Sequence, residues 1–173
     1  MDESPCYESF PLGVVVLTNL LSLAVYALGA WILAGWGIWV AIPYLLYCLL
    51  MEVTVMRRSC VKCYYYGKVC AFGKGKLCSL FFKPGDPQEF AERQISWVEI
   101  IPDFLVFIIP VVGGIALLIR DFSWVVLAMV AGLLLLSLGG NAFVRGTFAC
   151  RYCKQKESGC PAAELFGQED ASA

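Results

Sequence analysis

Two long apolar stretches dominate the hydrophobic pattern of the chain. No charged residue lies between Glu8 and Glu52. A single helix of that length would measure about 64 Å at roughly 1.5 Å per residue, about twice the ~30 Å hydrocarbon core of a bilayer. The stretch therefore folds back once, and the segment Ala34–Gly37 suits the turn because it has two glycines and an interfacial tryptophan. This pattern predicts helices near Pro11–Leu33 and Gly37–Met56.

The second apolar stretch follows a long polar segment and has the same organisation. It predicts helices over Ile95–Ile119 and Phe122–Val144, separated by a charged Arg-Asp pair. Each of the four helices has about 20 residues or more, which is enough to cross a bilayer with some tilt. Pro102 and Pro110 are expected to kink the third helix.

Composition independently favours lipid as the solvent. The chain is 60% hydrophobic and only 16% charged, whereas soluble domains are nearer half apolar and a quarter charged. The fold class is therefore predicted to be an all-α integral membrane protein, with four spans forming a helical bundle.

The basic residues predict which side of the membrane the loops occupy. Of 13 Lys and Arg residues, eight lie in the central polar loop and four in the tail, which leaves Arg120 for the opposite face. An even number of spans places both termini on the same side as the central loop. The positive-inside rule assigns that side to the cytoplasm, so we expect a multi-pass protein of the inner or plasma membrane.

These expectations divide the chain into five segments. They are a cytoplasmic N-terminus (1–10), a first transmembrane pair (11–56), a basic Cys-rich cytoplasmic loop (57–94), a second transmembrane pair (95–144) and a Cys-rich cytoplasmic tail with a disordered end (145–173).

A duplicated cysteine pattern is the most informative chemical feature. Six of the nine cysteines form two motifs of the same spacing, Cys-x2-Cys-x6-Cys, and each motif follows the second helix of a pair. The first motif comprises Cys60, Cys63 and Cys70, and the second comprises Cys150, Cys153 and Cys160. The chain is thus interpreted as two helical-hairpin repeats, each ending in a Cys motif that contributes to a small metal-bound cytoplasmic cap.

Two partitions of the thiols are compatible with this spacing. Cys-x2-Cys lets two sulfurs of one tight turn approach a single ion. Cys78 completes a local set of four with the first motif, and Cys6 completes one with the second. Cys48 then remains inside the second helix as a small apolar side chain. The other partition combines the Cys-x2-Cys turns of both motifs in one shared site.

The donor set limits the choice of metal. The chain has no histidine, which excludes His-ligated haem, His-containing zinc sites and Ser-His or Cys-His catalysis. In a reducing cytosol, clustered cysteines more often bind metal than form disulfides. Structural zinc is the first choice and an iron–sulfur cluster is the alternative, since thiolates suit both.

The functional prediction is correspondingly general. The spans contain little polar chemistry, which favours an accessory or docking subunit of a membrane complex over an enzyme. Such a subunit contacts the lipid bilayer and a protein partner, and no nucleic acid is expected. The alternatives are an iron–sulfur electron-transfer protein, and a thiol-based membrane enzyme or soft-metal transporter.

Three acidic residues inside the spans also require an explanation. Glu52, Glu99 and Asp103 lie near the ends of predicted helices, and carboxylates within the membrane are costly unless they are paired or functional. Anchoring at the interface is the preferred interpretation, and handling of protons or cations is the alternative.

Overall fold

The structure, a computed structural model, describes residues 6–91 and 97–160. Its α-helices are α1 (Leu12–Ala34), α2 (Ile38–Arg58), α3 (Lys74–Phe81), α4 (Gln88–Ala91), α5 (Trp97–Arg120), α6 (Trp124–Leu134) and α7 (Asn141–Val144). Short 3-10 helices lie at Cys60–Lys62 and Lys154–Ser158. Within the described ranges the fold is helical, without a β-strand.

Within the described residues, four helices are long and apolar enough to cross a membrane. They are Leu12–Ala34, Ile38–Lys62, Ile100–Arg120 and Trp124–Cys150. The prediction of an all-helical, multi-pass membrane protein with four spans is confirmed at this level. The first two helices are separated at the predicted turn, where Gly37 has a φ of +125°, a backbone conformation that favours glycine.

The fourth span is longer than the sequence pattern predicts. We expected its end near Val144, but π-helical segments at Leu135–Gly140 and Arg145–Cys150 flank α7, and the helix continues to the second Cys motif. A π-turn accommodates an extra residue in a helix without ending it. Val144 and Ala149 are both buried, so packing supports the extension.

The chain divides into two compact units. The first comprises Met1–Asn19, Thr54–Ile95 and Phe143–Ala173, and the second comprises Leu20–Val53 and Ser96–Ala142. We refer to them as the Cys-rich unit and the helical unit.

The helical unit has two apolar clusters. The first contains Val25 and Ile32 of α1 with Val130 and Leu133 of α6. The second joins three helices through Leu33 of α1, Tyr44 and Cys48 of α2 and Val106 of α5. Cys48 is only 2% exposed, which agrees with its interpretation as a small apolar side chain.

Tyrosine hydroxyls satisfy polar groups within the helical unit. Pro110 has no N–H, so the carbonyl of Val106 lacks its usual helical partner, and the hydroxyl of Tyr44 donates to that carbonyl at 2.9 Å. The hydroxyl of Tyr26 likewise donates to the carboxylate of Glu52. These contacts between helices matter because an unsatisfied polar group in hydrocarbon costs several kcal/mol.

Close packing at Gly114 generates a stability prediction. A Cβ atom at Gly114 would overlap the side chain of Val130 and lie 3.0 Å from Ile32 Cγ2. Gly114→Ala is therefore expected to destabilise the protein by about 1–3 kcal/mol through overpacking, measured as a lower midpoint of thermal unfolding in detergent. Gly132→Ala is the matched control, since no atom lies within 4 Å of its Cβ position. Equal midpoints for the two variants would contradict this packing.

Candidate metal centre

The Cys-rich unit contains every cysteine predicted to bind metal. All nine cysteines lie in the described ranges and carry free thiols, and Cys48 is the one that belongs to the helical unit. The eight in the Cys-rich unit are Cys6, Cys60, Cys63, Cys70, Cys78, Cys150, Cys153 and Cys160.

The two Cys-x2-Cys turns have closely similar backbone geometry. In the first, the N–H of Cys63 donates to the carbonyl of Cys60 at 3.4 Å, and in the second the N–H of Cys153 donates to the carbonyl of Cys150 at 3.2 Å. The backbone angles (φ, ψ) are −84° and 149° at Cys63, and −82° and 120° at Cys153. The equal spacing of the motifs is thus accompanied by a similar turn and an extended backbone at the second cysteine.

The second cysteine of each turn also has an equivalent environment. Burial raises the pKa of the Cys63 thiol, while a hydrogen bond from the backbone of Tyr65 acts in the opposite direction. Burial raises the pKa of Cys153 to about 12, against an opposing hydrogen bond from the backbone of Gln155. In both turns the donor lies two residues after the sulfur, a position from which a backbone N–H stabilises thiolate charge.

Two reciprocal hydrogen bonds join the turns to each other. The backbone N–H of Tyr64 donates to Oε1 of Gln155 at 2.6 Å, and the backbone N–H of Lys154 donates to the hydroxyl of Tyr65 at 3.0 Å. Tyr64 and Lys154 each follow the second cysteine of their motif, while Tyr65 and Gln155 occupy the next position. In each motif, the residue that follows the second cysteine donates its backbone N–H to the other motif. The side chain of the next residue accepts the N–H that the other motif donates.

A small apolar core surrounds these contacts. Its buried residues are Phe10, Tyr65, Ala71 and Ala149, and the partly buried cysteines that pack against it are Cys63, Cys70 and Cys153. Tyr65 is only 1% exposed and Gln155 only 3%. The core thus combines residues of the N-terminal segment, the central loop and the tail.

The N-terminal segment is tied to both motifs. The N–H of Tyr7 donates to the carbonyl of Tyr152 at 2.9 Å, and the carbonyl of Tyr7 accepts the hydroxyl proton of Tyr65. On the exposed side, the ammonium of Lys154 forms an ion pair with Glu8 at 2.7 Å. The backbone next to Cys6 therefore lies alongside the second motif.

Charges from both motifs contribute to the raised pKa of the second cysteine in each turn. Burial is the largest cause of the raised pKa of Cys63, and negative charge on Cys70 and Cys160 raises this pKa further. Burial is likewise the largest cause of the raised pKa of Cys153, and negative charge on Cys63, Cys160 and Cys150 raises this pKa further. The pKa of Cys63 is therefore sensitive to charge in its own motif and in the second motif.

The two cysteines outside the motifs have other partners. Cys78 is fully buried and its thiol donates to the carbonyl of Met56 at 3.6 Å. Burial, followed by the charge of Cys70, raises its pKa. Burial, followed by a hydrogen bond to Glu157, raises the pKa of Cys6.

The chemistry of the donors suits a thiophilic metal, but the side chains do not form a closed site as they stand. Over residues 6–91 and 97–160, no group of three or more Cys, Asp or Glu side chains is arranged to hold a metal ion. Metal binding by these cysteines therefore remains a prediction, and it requires their sulfurs to turn from the positions described.

Sequence reasoning identified the cysteines but missed the residues that join the two turns. Tyr65 and Gln155 have dissimilar side chains, and neither belongs to the Cys-x2-Cys-x6-Cys pattern. The signal that could have identified them is positional, since each lies two residues after the second cysteine of its motif.

Comparison with known proteins supplies no family for the chain. No family model matches it, and neither a curated protein nor a solved structure matches it.

The pairing of the turns predicts a specific effect of Gln155→Ala. The variant removes the acceptor for the Tyr64 N–H, and a buried donor without a partner costs about 1–3 kcal/mol. Amide hydrogen exchange at Tyr64 and Lys154 should accelerate, with a lower midpoint of thermal unfolding. Gln88→Ala, at an exposed position in α4, is the control. Unchanged exchange in Gln155→Ala would contradict the pairing.

Proposed function

We propose that this multi-pass membrane protein binds zinc through the thiolates of its two Cys motifs, and that the metal-bound Cys-rich unit is a docking surface of a membrane complex. The observation that supports the proposal is the hydrogen-bonded pairing of the two Cys-x2-Cys turns within one compact unit. This pairing joins two turns that are separated in sequence by the rest of the central loop and by the whole second transmembrane pair.

Zinc suits this donor set because sulfur ligands are the preferred donors of closed, structural zinc sites. The chain has no histidine, so the ligand set would consist of thiolates. Buried thiols such as those of Cys63 and Cys153 are protonated at neutral pH, and zinc would displace their protons on binding. The candidate ligands are Cys60, Cys63, Cys70, Cys78, Cys150, Cys153, Cys160 and Cys6.

The role proposed for the metal is structural. The Cys-rich unit is assembled from three separate parts of the chain, and its core contains few fully buried residues. Joining distant segments lowers the conformational entropy of the chain that connects them, which is a cost to folding. A zinc–thiolate site offsets this cost because its binding free energy contributes directly to folding. A metal at the paired turns would therefore fix the loop and the tail together.

The docking role is based on the exposed charge of the same unit. Among the residues of this unit that the structure describes, eight basic side chains are exposed: Arg57, Arg58, Lys68, Lys76, Lys83, Arg145, Arg151 and Lys156. Positive charge of this density attracts anionic lipid headgroups and steers acidic protein partners. We propose that the unit lies at the cytoplasmic face, as the positive-inside rule predicts, and presents this charge to a partner subunit.

Metal analysis of the purified protein tests the zinc assignment. Protein prepared anaerobically is expected to be colourless and to contain zinc, and the double variant Cys60→Ser/Cys150→Ser should lose it, because each motif loses a ligand. Cys48→Ala, in the helical unit, is the control that should keep the metal. Brown protein containing iron and sulfide would instead support an iron–sulfur centre, and metal-free wild-type protein would contradict metal binding altogether.

Thiol labelling tests the sidedness. In intact cells, a membrane-impermeant reagent should not modify any cysteine of the Cys-rich unit, whereas Asp121→Cys, in the loop between the third and fourth spans, should be modified. Inverted membrane vesicles treated with a chelator should give the reverse pattern. Mass spectrometry of the labelled peptides distinguishes the sites. Modification of Cys63 or Cys153 in intact cells would place the unit on the opposite face.

A further inference from the structure

We propose that α3 is an interfacial helix that inserts its exposed apolar face into an anionic lipid leaflet. In this arrangement, Leu77, Leu80 and Phe81 lie among the outer parts of the acyl chains. Lys76 and Lys83 contact the phosphates of the headgroups. This contact with lipid goes beyond the proposed function and does not depend on metal binding.

The loop that leads into α3 is hydrogen-bonded to the first span. The hydroxyl of Thr18 donates to the carbonyl of Ala71 at 2.6 Å, and the side-chain amide of Asn19 donates to the carbonyl of Phe72 at 3.2 Å. Thr18 lies six residues after Leu12, the first residue of α1, which corresponds to about 9 Å along the helix axis. Interfacial helices bury their apolar face by about 5–10 Å, so the loop enters α3 at the depth of such a helix.

The buried face of α3 is held at the end of the second span. Gly75 and Cys78 are buried in this helix, and the thiol of Cys78 donates to the carbonyl of Met56 at 3.6 Å. Met56 directly precedes Arg57 and Arg58, the basic residues in the last turn of α2. Basic side chains at the end of a span extend to the headgroups. Contacts with two different spans therefore locate α3 near the border between headgroups and acyl chains.

The other face of α3 is apolar and exposed. Leu77, Leu80 and Phe81 have the i, i+3, i+4 spacing of one helical face, and Leu80 and Phe81 are 74% and 71% exposed. Leu12 and Val16, in the part of α1 near this loop, are exposed as well. At the depth that the two spans define, lipid covers such residues, and inserting the face of α3 removes its apolar area from water.

Two lysines complete the amphipathic pattern. The exposed Lys76 precedes Leu77, and the exposed Lys83 follows the end of the helix. At about 100° per residue, Lys76 lies beside the apolar face and not within it. The long lysine stem can rest on apolar surface while the ammonium group stays at the headgroups. This charge complements an anionic leaflet, to which two of the eight exposed basic side chains of the Cys-rich unit are thereby assigned.

Backbone groups at the end of α3 are satisfied within the protein. The N–H of Phe82 donates to the carbonyl of Cys78 at 2.9 Å, and the carbonyl of Phe82 accepts the hydroxyl proton of Tyr66 at 2.7 Å. An unsatisfied backbone group is costly next to hydrocarbon. These two bonds therefore suit a helix end that lies at the membrane border.

Photolabelling of the full chain in nanodiscs tests the contact with lipid. The discs contain phosphatidylcholine and phosphatidylglycerol, one of them with a diazirine near the carbonyl end of an acyl chain, and mass spectrometry locates the adducts. Adducts are expected on Leu77, Leu80 or Phe81. Leu12 and Val16 of α1 are the internal positive control. Adducts on α1 without adducts on α3 would overturn the proposal, and this test requires no variant.

Removing the two lysine charges tests the preference for anionic lipid. The preference is measured as the ratio of α3 adducts from labelled phosphatidylglycerol to those from labelled phosphatidylcholine at equal mole fractions. In Lys76→Gln/Lys83→Gln this ratio should fall roughly fivefold for each lysine removed. The control Arg151→Gln/Lys156→Gln loses the same charge elsewhere in the Cys-rich unit and should keep the ratio. Equal ratios in the two double variants would overturn the assignment to an anionic leaflet.

A second copy of the chain is the competing occupant of this face. Native mass spectrometry that detects a dimer, together with crosslinks between the α3 helices of two copies and no lipid adducts on them, would overturn the lipid contact in favour of self-association. The metal content of the same preparation is measured separately. Protein that lacks metal but has lipid adducts on α3 would contradict the proposed function and still support the interfacial helix.

Discussion

The reciprocal hydrogen bonding of the two Cys-x2-Cys turns is the interaction on which the Cys-rich unit depends. It joins the loop that follows α2 to the tail that follows the fourth span, and it involves two of the least exposed polar side chains, Tyr65 and Gln155. Each bond contributes only about 1 kcal/mol in a typical protein. Together they fix the orientation of one turn relative to the other, so that Cys63 and Cys153 pack against the same apolar core.

In the helical unit, hydrogen bonds from side chains satisfy polar groups that face a lipid environment. Lipid offers no hydrogen bonds, so its polar groups are satisfied within the protein, as when Tyr44 donates to the carbonyl freed by Pro110 and Tyr26 donates to Glu52. In the Cys-rich unit, the paired turns satisfy backbone groups in the same way but leave thiols beside them. Those thiols are the ligands of the metal site that we propose.

The membrane fold was predictable because it depends on length and apolarity, which are properties of segments. The first three long helices and the turn at Gly37 agree with the sequence pattern to within a few residues. The extension of the fourth span to Cys150 was not predicted, since π-turns have no simple sequence signal. The pairing of the motifs was also not predictable, because Tyr65 and Gln155 are chemically unlike and their equivalence lies only in position. The cysteine ligands, the metal and the sidedness remain predictions.

X-ray absorption at the zinc edge tests most directly whether thiols from the two motifs bind metal. Zinc bound by the Cys-rich unit should have a first shell of sulfur alone, at about 2.3 Å. A first shell containing oxygen or nitrogen, or the absence of zinc from carefully prepared protein, would contradict thiolate binding by the paired turns.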